Sequence, residues 1–153
     1  MKIARNIILY IVILLFSYNL VEVSIAHALD QDKVAIETIL LESRGESYVG
    51  QVAVGEVIRN RAKERHQGII EVCIAPYQFS CWNDSQVAEK VLKGVSGEEW
   101  QIASRAWAES ETSNYAGGAT HYLAKKRLKS LPSWVKNLKE ILTIDRHTFY
   151  KEY

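Results

Sequence analysis

Several special classes are excluded by what this chain has little of. Of its 153 residues only two are cysteine, two proline and eight glycine. Two cysteines cannot brace a disulfide-dense mini-scaffold. So little proline and glycine rules out a collagen-like chain and argues against disorder. The net charge of +1 leaves no basic footprint for nucleic acid. No apolar run reaches the roughly 20 residues of a membrane span. There is no GxSxG, no HExxH and no Cys–His cluster at ligand spacing, so neither a serine triad nor a zinc site is signalled. Neither a metal nor another cofactor is expected. What remains is ordinary globular composition, 48% hydrophobic and 24% charged, of a length suited to one domain.

The first 28 residues read as a secretory leader. Lys2 and Arg5 make a positive start, Ile7 to Phe16 is uninterruptedly apolar, and Ala26-His27-Ala28 places small residues at a cleavage site. An uncleaved anchor is the alternative, but Asn19 and Glu22 interrupt the apolar run. Residues 29–153 then form the mature domain, whose net charge is zero once Lys2, Arg5 and Glu22 are gone. Export, to the periplasm or cell envelope, changes how Cys73 and Cys81 read. In an oxidising compartment two nearby cysteines pair, and a bridge across so short a loop adds about 2–3 kcal/mol. Two buried free thiols are the alternative.

Along the mature domain the apolar spacing is mainly helical. Asp32 is an expected N-cap for a helix over 33–43, which Arg44-Gly45 ends with Gly45 in the left-handed C′ position. Ser47 caps a second helix, with Gly68 beyond its end. Residues 71–82, with Pro76 inside, read as a loop or edge strand. A short helix follows Asp84 or Ser85 and stops at Gly94. Ser96 and Glu99 form a capping box for a helix to about residue 110, burying Trp100, Ile102, Ala103, Ala106 and Trp107. After Gly117-Gly118 the pattern turns to strands at 119–124 and 141–150, joined by a basic connection from Lys125 to Lys139. The expected class is α+β, mostly α, ending in a small hairpin.

Chemistry is best sought at Glu42. A carboxyl group beside Leu40 and Leu41, at the negative end of a helix, is pushed towards its protonated, proton-donating form. A surface glutamate paired with Arg44 or Arg59 is the competing account. Glu46 is expected to serve the following turn or helix start. Among the aromatics, Trp100, Trp107, Phe149 and Tyr150 read as core, whereas Tyr77, Phe79 and Trp82 suit core and ligand groove equally.

Six segments, in order, carry a resemblance. They are Glu42-Ser43-Arg44-Gly45-Glu46, Gly50 to Arg61, Gln78-Phe79-Ser80-Cys81-Trp82, Gly118-Ala119-Thr120-His121-Tyr122, Pro132-Ser133-Trp134 and His147-Thr148-Phe149-Tyr150. Together they resemble the SleB-type cell-wall hydrolases, across essentially all of 33–150. The resemblance implies a small lysozyme-like domain that cleaves the glycan strand of peptidoglycan. It implies Glu42 as the acid and Gln78, Phe79, Thr120, His121 and Tyr122 as groove walls that bind substrate. A lytic transglycosylase acting as a monomer is the leading expectation. A hydrolytic muramidase, an N-acetylmuramoyl-L-alanine amidase and a non-catalytic glycan-binding module are the alternatives.

Overall fold

A computed structural model describes Ile13, residues 30–125, Leu128 and residues 130–153. Chain contacts separate residues 1–33 from residues 34–153. The expected leader, Ile13 apart, lies outside the described residues. Among the described residues no helix is long and apolar enough to cross a membrane.

Helix α1 is described over residues 30–43. It already runs through Asp32, which therefore lies inside the helix rather than capping it. Its 34–43 stretch buries Ala35, Ile39 and Leu40 completely. The 44–47 turn leads into α2, Tyr48–Arg65, capped by Ser47, whose Oγ accepts from the Gly50 N–H at 3.2 Å. Every residue from Gly50 to Ile58 is buried. An element apolar on all sides belongs inside a core, and α2 fills that role. Val54 and Ile58 pack with α1, with Val72 and Cys73, and with Ala103 and Trp107. Ala53 and Val57 pack on its other side with Ala116, Ala119 and Phe149. Each large apolar side chain so enclosed contributes about 1.5–3 kcal/mol.

Close packing of these helices needs Gly55. A Cβ there would come within 2.9 Å of the Ser110 Cβ and 3.3 Å of Ile39 Cδ1. Gly45 has a different reason from the one expected. Its backbone is not left-handed. Instead Arg146 Nη2 donates to its carbonyl at 3.0 Å and would lie 2.9 Å from an added Cβ.

His66, at φ 53°, ends α2 in the left-handed conformation, and Gly68 begins the next helix instead. That helix, α3, Ile69–Ile74, occupies sequence expected to be loop or edge strand. A 3-10 turn over Ser80–Trp82 follows. Helix α4, Ser85–Lys93, is capped by Asp84, and α5, Gly97–Glu109, by the Ser96/Glu99 box, as the sequence indicated.

The C-terminal part is a three-stranded antiparallel sheet rather than a lone hairpin. Strands β1 (His121–Leu123), β2 (Leu138–Ile144) and β3 (His147–Glu152) lie in the order β1-β3-β2. The single strand expected over 141–150 is broken at Asp145-Arg146, where Asp145 takes φ 49°. Aspartate tolerates this region better than most side chains, which makes a tight turn possible here. Phe149 pairs with Tyr122 and Tyr150 with His121, so central β3 carries β1 and its ring-bearing side chains into place.

Candidate active site

Glu42 stands on the last turn of α1, half-buried. Its Oε1 accepts from the Cys81 N–H at 3.0 Å and from Ser80 Oγ at 3.3 Å. Its Oε2 accepts from the Tyr122 hydroxyl at 3.0 Å. Charge-assisted bonds to three donors on two elements hold the carboxyl group in one orientation. Burial, reinforced by the Glu42 carboxylate, pushes the Tyr122 phenol well above its ordinary pKa, so it is a donor and never an anion near neutrality. The competing pairing with Arg59 is not made. Arg59 lies over the Trp107 ring, 3.7 Å from its centroid, and donates to Ser110 Oγ at 2.9 Å.

Two clefts meet at Glu42, and Glu42, Ser80 and Tyr122 line both. One, of about 330 Å³, is bounded by Arg61, Arg65, Tyr77, Gln78, Phe79, His121 and Trp134. The other, of about 450 Å³, is bounded by Leu41, Cys81, Leu123, Ala124 and His147. Gln78, Phe79, His121 and Tyr122 thus join Glu42 around one depression. Thr120 does not. Its hydroxyl is buried and lies 3.0 Å from His121 Nδ1, its carbonyl accepts from Arg61 Nε at 2.6 Å, and it borders a separate hollow with Asn60 and His66.

Arg61 holds the walls of the first cleft together. Only 5% exposed, it donates to the carbonyls of Thr120 and Gln78, the latter at 2.9 Å, and lies 4.5 Å from the centroid of Phe79. The loop wall and the strand wall therefore hang on one guanidinium. Tyr122 adds ring contacts to Phe79, His147 and Phe149. Trp82 belongs to the core, its Nε1 donating to Thr38 Oγ1 at 2.9 Å. Tyr77 is the opposite case, 90% exposed on the rim at φ 63°. A non-glycine residue in that region stores strain of about 1–3 kcal/mol and persists at functional sites.

Three other carboxylates are engaged elsewhere. Glu46, its side chain 3% exposed, pairs with the Arg146 guanidinium and accepts from the Arg146 N–H at 3.0 Å. Asp145 Oδ2 accepts from the Ser47 N–H at 2.8 Å, so the β2–β3 turn clamps the turn after Glu42. Glu56, which sequence reasoning passed over, accepts from Ser113 Oγ and from the N–H groups of Tyr115 and Ala116. Among the described residues, Glu42 is the one carboxylate lining either cleft.

The expected Cys73–Cys81 bridge is not formed; both thiols are free. Cys73 is buried on α3 and Cys81 sits half-buried in the 3-10 turn. Burial pushes the Cys73 thiol up to about 11, and burial with the nearby Glu42 raises that of Cys81 further. Both are small neutral packing groups in the helical core. The backbone N–H of Cys81, rather than a disulfide, ties the loop to Glu42.

No curated protein matches the chain. Two solved structures resemble it closely. The catalytic domain of the SleB protein of Bacillus cereus superposes with a TM-score of 0.64 at 25% identity, covering 80% of this chain and 91% of that domain. The catalytic domain of the germination-specific lytic transglycosylase SleB from Bacillus anthracis gives 0.63 at 27% identity, covering 79% and 93%. The Cell Wall Hydrolase family matches residues 45–150, from the turn after Glu42 to the end of the buried part of β3. Through that match this chain belongs to the cell wall hydrolase family.

Proposed function

We propose that the protein degrades peptidoglycan as a lytic transglycosylase, cutting the glycan strand between N-acetylmuramic acid and N-acetylglucosamine with Glu42 as its single acid. The observation that carries this reading is the position of Glu42, among the described residues the one carboxylate at the junction of two clefts. A chain that enters by one cleft and leaves by the other presents an internal bond to it.

The steps follow from the hydrogen bonds. Oε1 accepts from Cys81 and Ser80 and Oε2 from the Tyr122 hydroxyl, which fixes the carboxyl group that donates the proton. That proton passes to the glycosidic oxygen as the bond to the muramic C1 breaks. The muramic C6 hydroxyl closes on C1, and its proton returns to Glu42. Inverting hydrolysis would need a second carboxylate about 6.5–9.5 Å away to activate water. Glu46 and Glu56 are already engaged by Arg146 and by the 113–116 turn. A tethered hydroxyl has a large effective concentration and needs no such base. The protein acts as an exported monomer, freed of its leader after Ala28. Purified sacculi incubated with it should release glycan fragments; free stem peptides with intact glycan would make it an amidase.

Tyr77 gives this reading a separable test. Tyr77→Gly removes an exposed ring and relieves a left-handed tyrosine. Its melting temperature should equal or exceed the wild-type value, while affinity for glycan fragments falls several-fold. A variant that binds glycan as well as wild type would take Tyr77 out of the groove.

A further inference from the structure

We infer that the end of the first cleft beside Arg61 and Arg65 is a subsite for a carboxylate of the peptidoglycan strand. This rests on the peptidoglycan reading above and adds to it which part of the substrate is recognised.

Arg61 and Arg65 stand four residues apart on α2, so both reach the same side of the helix. They line the cleft together. The buried Arg61 spends its donors on two backbone carbonyls, which are neutral. Arg65 is exposed and donates from one nitrogen to Gln78 Oε1, again neutral. Neither has a carboxylate partner among the described residues. A guanidinium offers five donors in a planar fork that matches a carboxylate, and that of Arg65 is only partly used. His121 shares this wall. Its pKa is lowered first by burial and then by Arg61 and Arg65, so it sits in the cleft as a neutral ring. Two negative groups act here among the described residues: Glu152 on His121, more weakly than the two arginines, and Glu42, whose oxygens already hold three donors.

Neutral sugar hydroxyls would not need two guanidinium groups with no carboxylate bonded to them, whereas a peptidoglycan strand carries carboxylates in two places. The stem peptide has them along its length, and the muramic lactyl group is one wherever no peptide is attached. The shared chemistry is a carboxylate beside the muramic ring, and the ligands below separate the two sources.

The test measures binding of four soluble ligands by titration calorimetry to the full chain carrying Glu42→Gln, so that no ligand is consumed. They are the disaccharide with a free-acid stem peptide, the same with its stem carboxylates amidated, the peptide-free disaccharide with a free lactyl acid, and its methyl ester. Within at least one pair the acid should bind about tenfold more tightly than its neutral partner. The further change Arg65→Gln should erase that ratio, and raising the salt should shrink it. A preference in the first pair assigns the site to the stem, and in the second to the lactyl group. Acid and neutral ligands binding alike in both pairs, an advantage that survives Arg65→Gln, or no binding by any of the four would overturn the inference. The parent reading fails separately. Wild-type protein that cuts no strand, while the charge preference persists, would sink the transglycosylase and leave the subsite standing.

Discussion

Replacing Glu42 with glutamine is expected to lower the rate of sacculus lysis by about a thousandfold while leaving the fold intact. Positioned general-acid catalysis contributes on the order of 10²–10⁴, and among the described residues there is no second carboxylate in either cleft to take over. Glutamine keeps the size and can still accept from Cys81 N–H and Ser80 Oγ, the bonds Glu42 makes now. It has no acidic proton to give. Circular dichroism and melting temperature should therefore be close to wild type, and sacculus binding should persist. Turbidity clearance at more than about a tenth of the wild-type rate would remove Glu42 from the acid role. Loss of binding together with loss of clearance would favour a structural one.

The largest stability effect is expected at Glu56. Its carboxylate is 3% exposed and accepts from Ser113 Oγ at 2.6 Å, the Tyr115 N–H at 2.8 Å and the Ala116 N–H at 2.6 Å. Glu56→Ala would strand these donors in the interior. Hydrogen bonds to a charged group are worth about 1.5–3 kcal/mol each, and a buried donor left unmade bears its full desolvation penalty. The loss should be about 3 kcal/mol or more. Ala116 packs directly on Ala53, Val57 and Phe149, so the damage reaches the core under the sheet. Glu56→Gln keeps acceptor oxygen but turns an amide N–H₂ towards a donor, and should fall between wild type and alanine. Urea midpoints at constant slope measure all three. An alanine variant within about 0.5 kcal/mol of wild type, the scale of ordinary surface changes, would show that the 113–116 turn stands without Glu56.

What could be read in the sequence follows the range of the interactions concerned. The caps at Ser47, Asp84 and Ser96 were legible because a cap is made by residues two or three apart. Glu42 and the cleft residues Gln78, Phe79, His121 and Tyr122 were legible because they fall in segments with a family's order. Helix α3 was missed because six residues are too few to show a helical period, and Pro76 just beyond suggested a break. The two expected strands do pair, but 141–150 was read as one strand because its pattern runs on through the Asp145-Arg146 turn. Thr120 fitted the motif, but its hydroxyl turns to its neighbour His121 and its carbonyl to Arg61. The bridge expected from compartment and spacing gave way to two packed thiols. The Glu56 cluster and the Arg146 clamp on Glu46 join residues some 60 and 100 positions apart. No local pattern announces contacts of that range, yet the clamp holds the turn that follows Glu42.

The most direct test of a single acid with no partner is the muramic end left on cleaved glycan. Wild-type protein should be incubated with purified sacculi, and the released disaccharide-peptides weighed by mass spectrometry without prior reduction. Closure by the C6 hydroxyl predicts 1,6-anhydromuramic ends as the main new species, lighter by one water than the hydrolysed form. A digest with only reducing N-acetylmuramic ends would contradict the account, because water would then have been activated by a second carboxylate, with Glu46 released from Arg146 the first to examine.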